Sequence, residues 1–266
     1  MFLDQFLEWA HAGLLENEDA QSYLLGRGIS RDQWASHRIG FTEGDFDVDP
    51  ESHPGHSDSC SDREKKHLRC DACRYRSWSS VWESRDDEPG KTQVVGKRIR
   101  GCVVFPLTSY SGARVGFQTR SIVEKAYDSF MLTKRPEGYF FGSSSNYREV
   151  WATGEVALIE GAGDQLLIER LVMPNVLAIT TSGLSRLQLQ YVKRFARRVI
   201  FFMDLDAAGR TGVRSFVADH GSSFDILDIK YPRIGPKDKD PGDFWKKVGD
   251  EAFAHHFEKA LGRRRS

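Results

Sequence analysis

With 266 residues, 39% of them apolar and 29% charged, the chain has the balance of a folded globular protein and excludes a disordered or membrane-embedded one. Its 38 basic side chains match 38 acidic ones, so any polyanion must be held by a local basic surface. No apolar run approaches the roughly 18–20 residues that a membrane span requires. The start, MFLDQFLEWAHAGLL, carries Asp4 and Glu8 without a basic leader, so a cytoplasmic protein without membrane contact is expected.

Residues 1–41 are predicted to be helical. Phe2, Phe6, Trp9 and Ala10 share one face, EDAQSYLLGRGIS ends a second helix at Gly26 and Gly28, and Ser30 is placed to cap a short helix through Trp34. Residues 42–96 are polar and without periodicity, so they are disordered or organised by something other than an apolar core. β texture begins at Lys97. IRGCVVFPL is a β-branched run, SYSGARV a turn and RVGFQTR a second strand. From 155 to 244 strand and helix alternate: EVALIE, DQLLIERLV, VLAITT, LSRLQLQYVKRFA, RVIFFMDLD, AAGRTGVRSFVADH and FDILDIKY. A final helix, GDEAFAHHFEKALG, precedes the basic residues 263–265. This alternation predicts a parallel sheet covered by helices. The fold class is therefore α/β: an α+β subdomain (1–41 and 97–150), a Rossmann-like parallel-sheet subdomain (151–266), and an insert at 42–96.

Three of the four cysteines fall within that insert. Cys70-x2-Cys73 is a compact metal knuckle, Cys60 lies upstream, and His56 is the fourth ligand we assign, with His53 and His67 as competitors. Zinc takes four such S and N ligands in structural sites and would supply the folding energy that the polar insert lacks. The other reading is a disordered insert with incidental cysteines.

The acids at the strand ends carry the chemistry. Glu160 closes ALIE and precedes GAGD, where Asp164 begins a helix, either as a site residue or as its N-cap. Asp204 and Asp206 close VIFFMDLD, where strand alternation would put both on one face. In KDKDPGDF, Asp240 precedes a Pro-Gly turn and Asp243 follows it. Carboxylates this close repel unless a cation joins them. Oxygen ligands few in number suit Mg²⁺ (or Mn²⁺), and two such ions stabilise both attacking and leaving oxygens of a phosphoryl transfer.

EGAGD, then DLDAAGR, then DPGD in this order resembles the TOPRIM domain of bacterial-type primases, topoisomerases and some nucleases. The primase branch fits best, because YLLGRGIS with RIGF resembles a primase stretch of form YLxxRGLS…FxIGF. RIRGCVVFPLTSYSGARVGFQTR resembles RxRxRVMFPIRDxxGxVIGFGGR, and the likeness covers about 20–41 and 97–260. The sequence departs from the pattern at Leu205 inside DxD, at DPGD for DPD, at GFQTR for GFGGR, and at Cys102 for an arginine. Either Asp240 or Asp243 fills the third acidic position.

The resemblance implies RNA primer synthesis on a single-stranded DNA template from NTPs, with a replicative helicase as partner. Asp204, Asp206 and Asp240 would hold magnesium, and Glu160 would act as ligand or acid/base. Arg27, Arg98, Arg100 and Arg120 match basic positions of the pattern, and Lys134 and Asp164 are further nucleic-acid or nucleotide contacts. Arg98 and Arg100 are expected on one face of a strand. Thr180, Thr181, Ser182 and Gly183 resemble the polar loop after the second TOPRIM strand, or Ser182 caps a helix. A TOPRIM nuclease and a catalytically lapsed strand binder are the alternatives.

Overall fold

A computed structural model describes residues 2–43, 46, 82–84, 93–95, 99–123, 127–131, 139–181, 183–236 and 238–262. Two compact units emerge, one of residues 1–25, 30–107 and 114–136, the other of 26–29, 108–113 and 137–266.

In the first unit helix α1 (Phe2–Glu16) buries Leu3, Phe6, Leu7, Ala10 and Leu14, an apolar stripe at helical spacing. Short helices α2 (Glu18–Leu25) and α3 (Arg31–His37) follow, and Ser30 caps α3 in a reciprocal capping box with Gln33. Strand β1 (Gly40–Phe41) comes next, then β2 (Trp82–Ser84) and β3 (Gln93–Val95), which pair with each other. Strands β4 (Cys102–Ser109), β5 (Arg114–Ser121) and β6 (Tyr127–Met131) extend the sheet in the order β1-β4-β5-β6. The Phe6 ring lies 4.8 Å from Phe117 and 5.6 Å from Phe46, and burying one such ring contributes about 1.5–3 kcal/mol. Arg114 ties β5 to α1 through Asp4 (3.2 Å) and Glu8 (2.9 Å). One sequence expectation is corrected here. Residues 99–101 form a turn, with Gly101 at φ +70°, so Arg100 stands exposed on that turn and not on a strand face.

In the second unit, strand β7 (Tyr139–Phe140) pairs antiparallel with Thr108 and Ser109. Helix α4 (Ser144–Thr153) starts on a capping box of Ser143 and Asn146, and the expected subdomain boundary at 150 falls inside it. Then come strand β8 (Glu155–Ile159), helix α5 (Ala162–Leu171), strand β9 (Val176–Ala178) and helix α6 (Arg186–Phe195). Strand β10 (Arg198–Phe201), helix α7 (Ala207–His220), strand β11 (Asp225–Asp228) and helix α8 (Pro241–Ala260) complete it. The four strands are parallel in the order β11-β10-β8-β9. One face packs Val156, Leu158, Val199 and Phe201 against α4, α6 and α7. On the other, Phe202 meets Phe257 of α8 at 5.3 Å. Strands covered on both faces read as continuous apolar runs.

Two further expectations change in this unit. The strand written as RVIFFMDLD ends at Phe201, because the chain leaves the ladder and Asp206 becomes the N-cap of α7. Asp204 and Asp206 therefore stand on a strand-to-helix loop, not on one strand face. The last helix begins at Pro241, not Gly249. Pro-Gly forms its first turn under an Asp240 cap, and Gly249, at φ 75°, marks a kink inside it. Ser185 caps α6, while Ser182 lies outside the described residues. Among the described residues no helix is long and apolar enough to cross a membrane.

Candidate active site

In the parallel sheet the chain runs from β8 outward to β9, then returns to β10 on the other side and continues to β11. The carboxyl ends of β8 and β10 are thus the point where strand order reverses, the place where open α/β sheets hold ligands. Glu160 follows β8, and Asp204 and Asp206 follow β10. Asp164 comes from the first turn of α5 and Asp240 from the cap of α8.

Each acid is held by backbone or a cation. Gly209 N–H donates to Asp206 Oδ1 (3.0 Å), and Asp243 N–H donates to Asp240 Oδ1 (2.8 Å). Asp164 is not the cap of its own helix, which begins at Gly161 without a side-chain cap. Its Oδ1 instead accepts from Gly242 N–H at 2.9 Å, joining α5 to the start of α8. Asp243 turns back to accept from Lys239 N–H (3.2 Å), whereas Asp240 is the one whose charge acts on Asp164 and Asp204. Lys239 Nζ lies 3.1 Å from Asp204 Oδ2. Lys239 O accepts from Leu205 N–H (2.7 Å) and from the Tyr231 hydroxyl (3.0 Å), fixing the segment that carries the lysine.

The electrostatics are those of crowded, desolvated carboxylates. Burial, then the charges of Asp204 and Asp206, push Glu160 up to about 7, against a hydrogen bond from the Asp204 backbone and the charge of Lys239. Burial raises Asp204 as well, partly offset by Lys239 and reinforced by Asp240 and Asp206. Asp164 stands well above the usual carboxylate range through burial, Asp240 and Asp204, opposed by the Gly242 bond and by Arg27. For Lys239 burial alone would lower the pKa, but its bond to Asp204 and the surrounding acids raise it. Glu160 Oε1 is enclosed without a hydrogen-bond donor among the described residues. A buried anionic oxygen without a donor is costly and suits a cation.

Such a donor set fits a hard divalent ion. Among the described residues no three His, Cys, Asp or Glu side chains are gathered to chelate one ion, so Mg²⁺ here would keep several of its waters, as it usually does.

The placement of the remaining expected residues is mixed. Arg27 belongs to the second unit and its guanidinium lies beside the first turn of α5, 3.9 Å from where a Cβ of Gly163 would stand. Arg100 and Arg120 belong to the first unit, and Arg120 Nε donates to the Tyr23 hydroxyl at 3.2 Å. Arg98, Lys134, His56, Cys60, Cys70 and Cys73 lie outside the described residues. Sequence reasoning missed Lys239, although a lysine directly before Asp240 in an acid-rich stretch was a countercharge signal. It also missed Gly209, whose Cβ would stand 2.3 Å from Asp204 O and 2.8 Å from Glu160 Oε1. Thr180 is read from the sequence only as part of a polar loop. Its backbone, in the left-handed region at φ 61°, donates its N–H to Glu160 O at 3.0 Å. A β-branched residue rarely adopts that conformation, which is typical of strained functional loops.

Fold and acids together describe an α/β unit with carboxylates at the carboxyl ends of a parallel sheet, and the likenesses of this fold are to bacterial primases. The likeness to particular proteins agrees. The DNA primase of Clostridium acetobutylicum is 30% identical over 178 residues, which is 64% of this chain and 29% of that protein. The Aquifex aeolicus primase, a structure of its zinc-binding and RNA polymerase domains, superposes with a TM-score of 0.70 at 21% identity. The match covers 97% of this chain and 59% of that one. A DnaG primase catalytic domain bound to single-stranded DNA superposes with a TM-score of 0.67 at 19% identity, over 97% of this chain and 79% of that one. No family model matches the chain. The chain therefore has the primase-core fold while spanning well under two thirds of the curated relative's length.

Proposed function

We propose that this chain is a primase-type nucleotidyltransferase that joins ribonucleotides on a single-stranded DNA template in the presence of Mg²⁺ or Mn²⁺. The observation that carries the reading is the convergence of Glu160, Asp204, Asp206 and Asp240 at the β8/β10 switch point of a primase-core fold. One of the solved relatives was captured with single-stranded DNA, which supports the template class.

In this reading Asp204, Asp206 and Asp240 would meet divalent ions in part through the waters those ions retain, and Asp243 serves to fix the start of α8. When bound, the ion supplies positive charge against the triphosphate and the attacking oxygen. The residues do the rest. Backbone N–H bonds pin one oxygen each of Asp206 and Asp240, leaving the other oxygen for ligation. Glu160 Oε1, raised toward neutrality and without a donor among the described residues, takes the proton as a 3′-hydroxyl attacks the α-phosphorus and pyrophosphate leaves. Arg27, Arg98, Arg100, Arg120 and Lys134 offer cations to template and triphosphate, and arginine's planar fork suits phosphate.

The insert, with His56, Cys60, Cys70 and Cys73, is assigned one structural zinc on spacing alone. Cytoplasmic residence and a replicative helicase partner complete the proposal.

The test is direct. Purified protein is given single-stranded templates, labelled NTPs and Mg²⁺ or Mn²⁺, and both oligomer synthesis and template cleavage are scored. Template-dependent ribonucleotide products are expected. Cleavage without synthesis would replace the primase reading by a nuclease using the same acids.

A further inference from the structure

The second unit carries another surface, along α6, whose C-terminal end and the following Arg197 lie at the opposite end of the sheet from the acids. Between Gly183 and Met203 the chain has five cations and no acid, although its charges balance overall. Arg198 is engaged by Glu155 at 3.3 Å and Asp225 at 3.2 Å. Arg186, Lys193, Arg194 and Arg197 are exposed along and just beyond α6.

Beside these cations runs a row of rings. Tyr110 meets Tyr191 at 6.1 Å, Tyr191 meets Phe195 at 4.9 Å, and Phe195 meets Trp151 at 5.5 Å. The two ends of the row face solvent, Tyr110 at 38% and Trp151 at 45% exposure. The Arg194 guanidinium sits 5.2 Å from the centre of the Phe195 ring. Six residues of mostly extended chain separate Arg197 from Asp204, roughly 20 Å, so this is not the carboxylate cluster.

Cations alone would make an ordinary solvated face, and rings alone an ordinary edge of the core. Together they suit one class of partner. A single strand offers phosphates to the cations and unpaired base faces to the exposed rings. A duplex offers phosphates but keeps its bases stacked inside, and an acidic polypeptide offers charge without base faces. We propose that the exposed side of α6, with Trp151 and Tyr110, binds single-stranded nucleic acid independently of the carboxylate site. Its footing does not depend on the acids being catalytic.

The experiment uses the whole protein with chelator and no nucleotides, so catalysis plays no part. Binding of a labelled oligo(dT) of about 20 nucleotides is measured against salt. Replacing Lys193, Arg194 and Arg197 together by alanine should weaken binding at least about tenfold. It should also make the slope of log affinity against log salt shallower by about 2, at roughly 0.7 per phosphate contact on single strands. Trp151→Leu should weaken the single strand severalfold with the slope unchanged. Duplex DNA and poly-glutamate of similar length serve as comparisons, and melting curves confirm that each variant is folded. An unchanged affinity and slope in the triple variant would overturn the proposal. It would also fall if that variant lost duplex or poly-glutamate binding as strongly as oligo(dT) while Trp151→Leu had no effect, which would mark an acidic partner. Absence of primer synthesis by the wild type would defeat the catalytic reading and leave this result unmoved.

Discussion

At Glu160 burial and neighbouring negative charge act in the same direction, and the consequence has a definite sign. A carboxyl raised from 4.5 to about 7 binds its proton more tightly in the folded protein than in the unfolded chain. Stability without metal should therefore decline as pH rises through that interval. Glu160→Gln keeps the side chain's size and removes the charge. In chelator at pH 8 it is expected to melt higher than the wild type, with about 2–4 °C for each kcal/mol recovered, and the gain should vanish near pH 5. Primer synthesis by the same variant should fall about 10²–10⁴-fold, the usual share of a general base. A variant that melts higher yet keeps its rate would remove Glu160 from the chemistry. Lys239→Met should have the opposite effect on melting, since it strips the nearly buried Asp204 of its counter-ion. The acids were legible in the sequence because they close apolar runs. Their holders were not, since a backbone N–H donor or a lysine three dozen residues away leaves no local pattern.

The helices and strands of the second unit follow from alternation and turn chemistry, and α7 coincides with its expected span of 207–220. Periodicity could not tell where β10 stops. Phe202 and Met203 remain buried after the ladder ends, so the apolar run outlasts the strand. Pro241-Gly242 read as a turn because both residues favour turns, yet proline is equally suited to the first helical position when an aspartate caps it. The start of α7 offers a stringent test of the loop. In an open helix Gly→Ala gains up to about 1 kcal/mol. At Gly209 the added Cβ would press on Asp204 O and Glu160 Oε1, and forcing atoms into a filled site costs about 1–3 kcal/mol. Gly209→Ala should therefore lower both the melting temperature and the rate, and a stabilised, fully active variant would contradict the placement of this turn. A second link joins α5 to α8, where Asp250 accepts from both Arg170 terminal nitrogens (2.7 and 3.0 Å) and from Trp245 Nε1 (2.7 Å). Arg170 first, then Trp245, hold its carboxyl below the usual range. A depressed folded pKa stabilises above the unfolded value and is lost as pH falls through the folded one. Asp250→Asn should thus cost up to about 1 kcal/mol at pH 7, this pair being half-exposed, and progressively less as the pH falls below the ordinary carboxylate range.

Across the whole molecule, the order of several short motifs points to the primase core, whereas the balanced composition requires only that a polyanion be held by a local basic surface. A net charge of zero hides strong segregation, with acids gathered at one end of a sheet and cations along α6. The alternating second unit was the more legible, because helical and strand periods repeat there. In the first unit the turn at 99–101 depends on the left-handed backbone of Gly101, which a strand-like run of apolar residues conceals. The cysteines and histidines of the insert lie outside the described residues, and the test of their assignment is compositional: protein purified reduced and without chelator should carry about one zinc per chain, and none would end that assignment. The most direct measurement of the central claim is template-dependent ribonucleotide incorporation by wild type and Asp204→Asn side by side, in Mg²⁺ and in Mn²⁺, with melting curves for both. Asp204→Asn should fold normally and lose synthesis by at least about 10²-fold, the scale of a lost catalytic electrostatic contact. A folded variant that still makes primers at the wild-type rate would show that the chemistry does not reside in these acids.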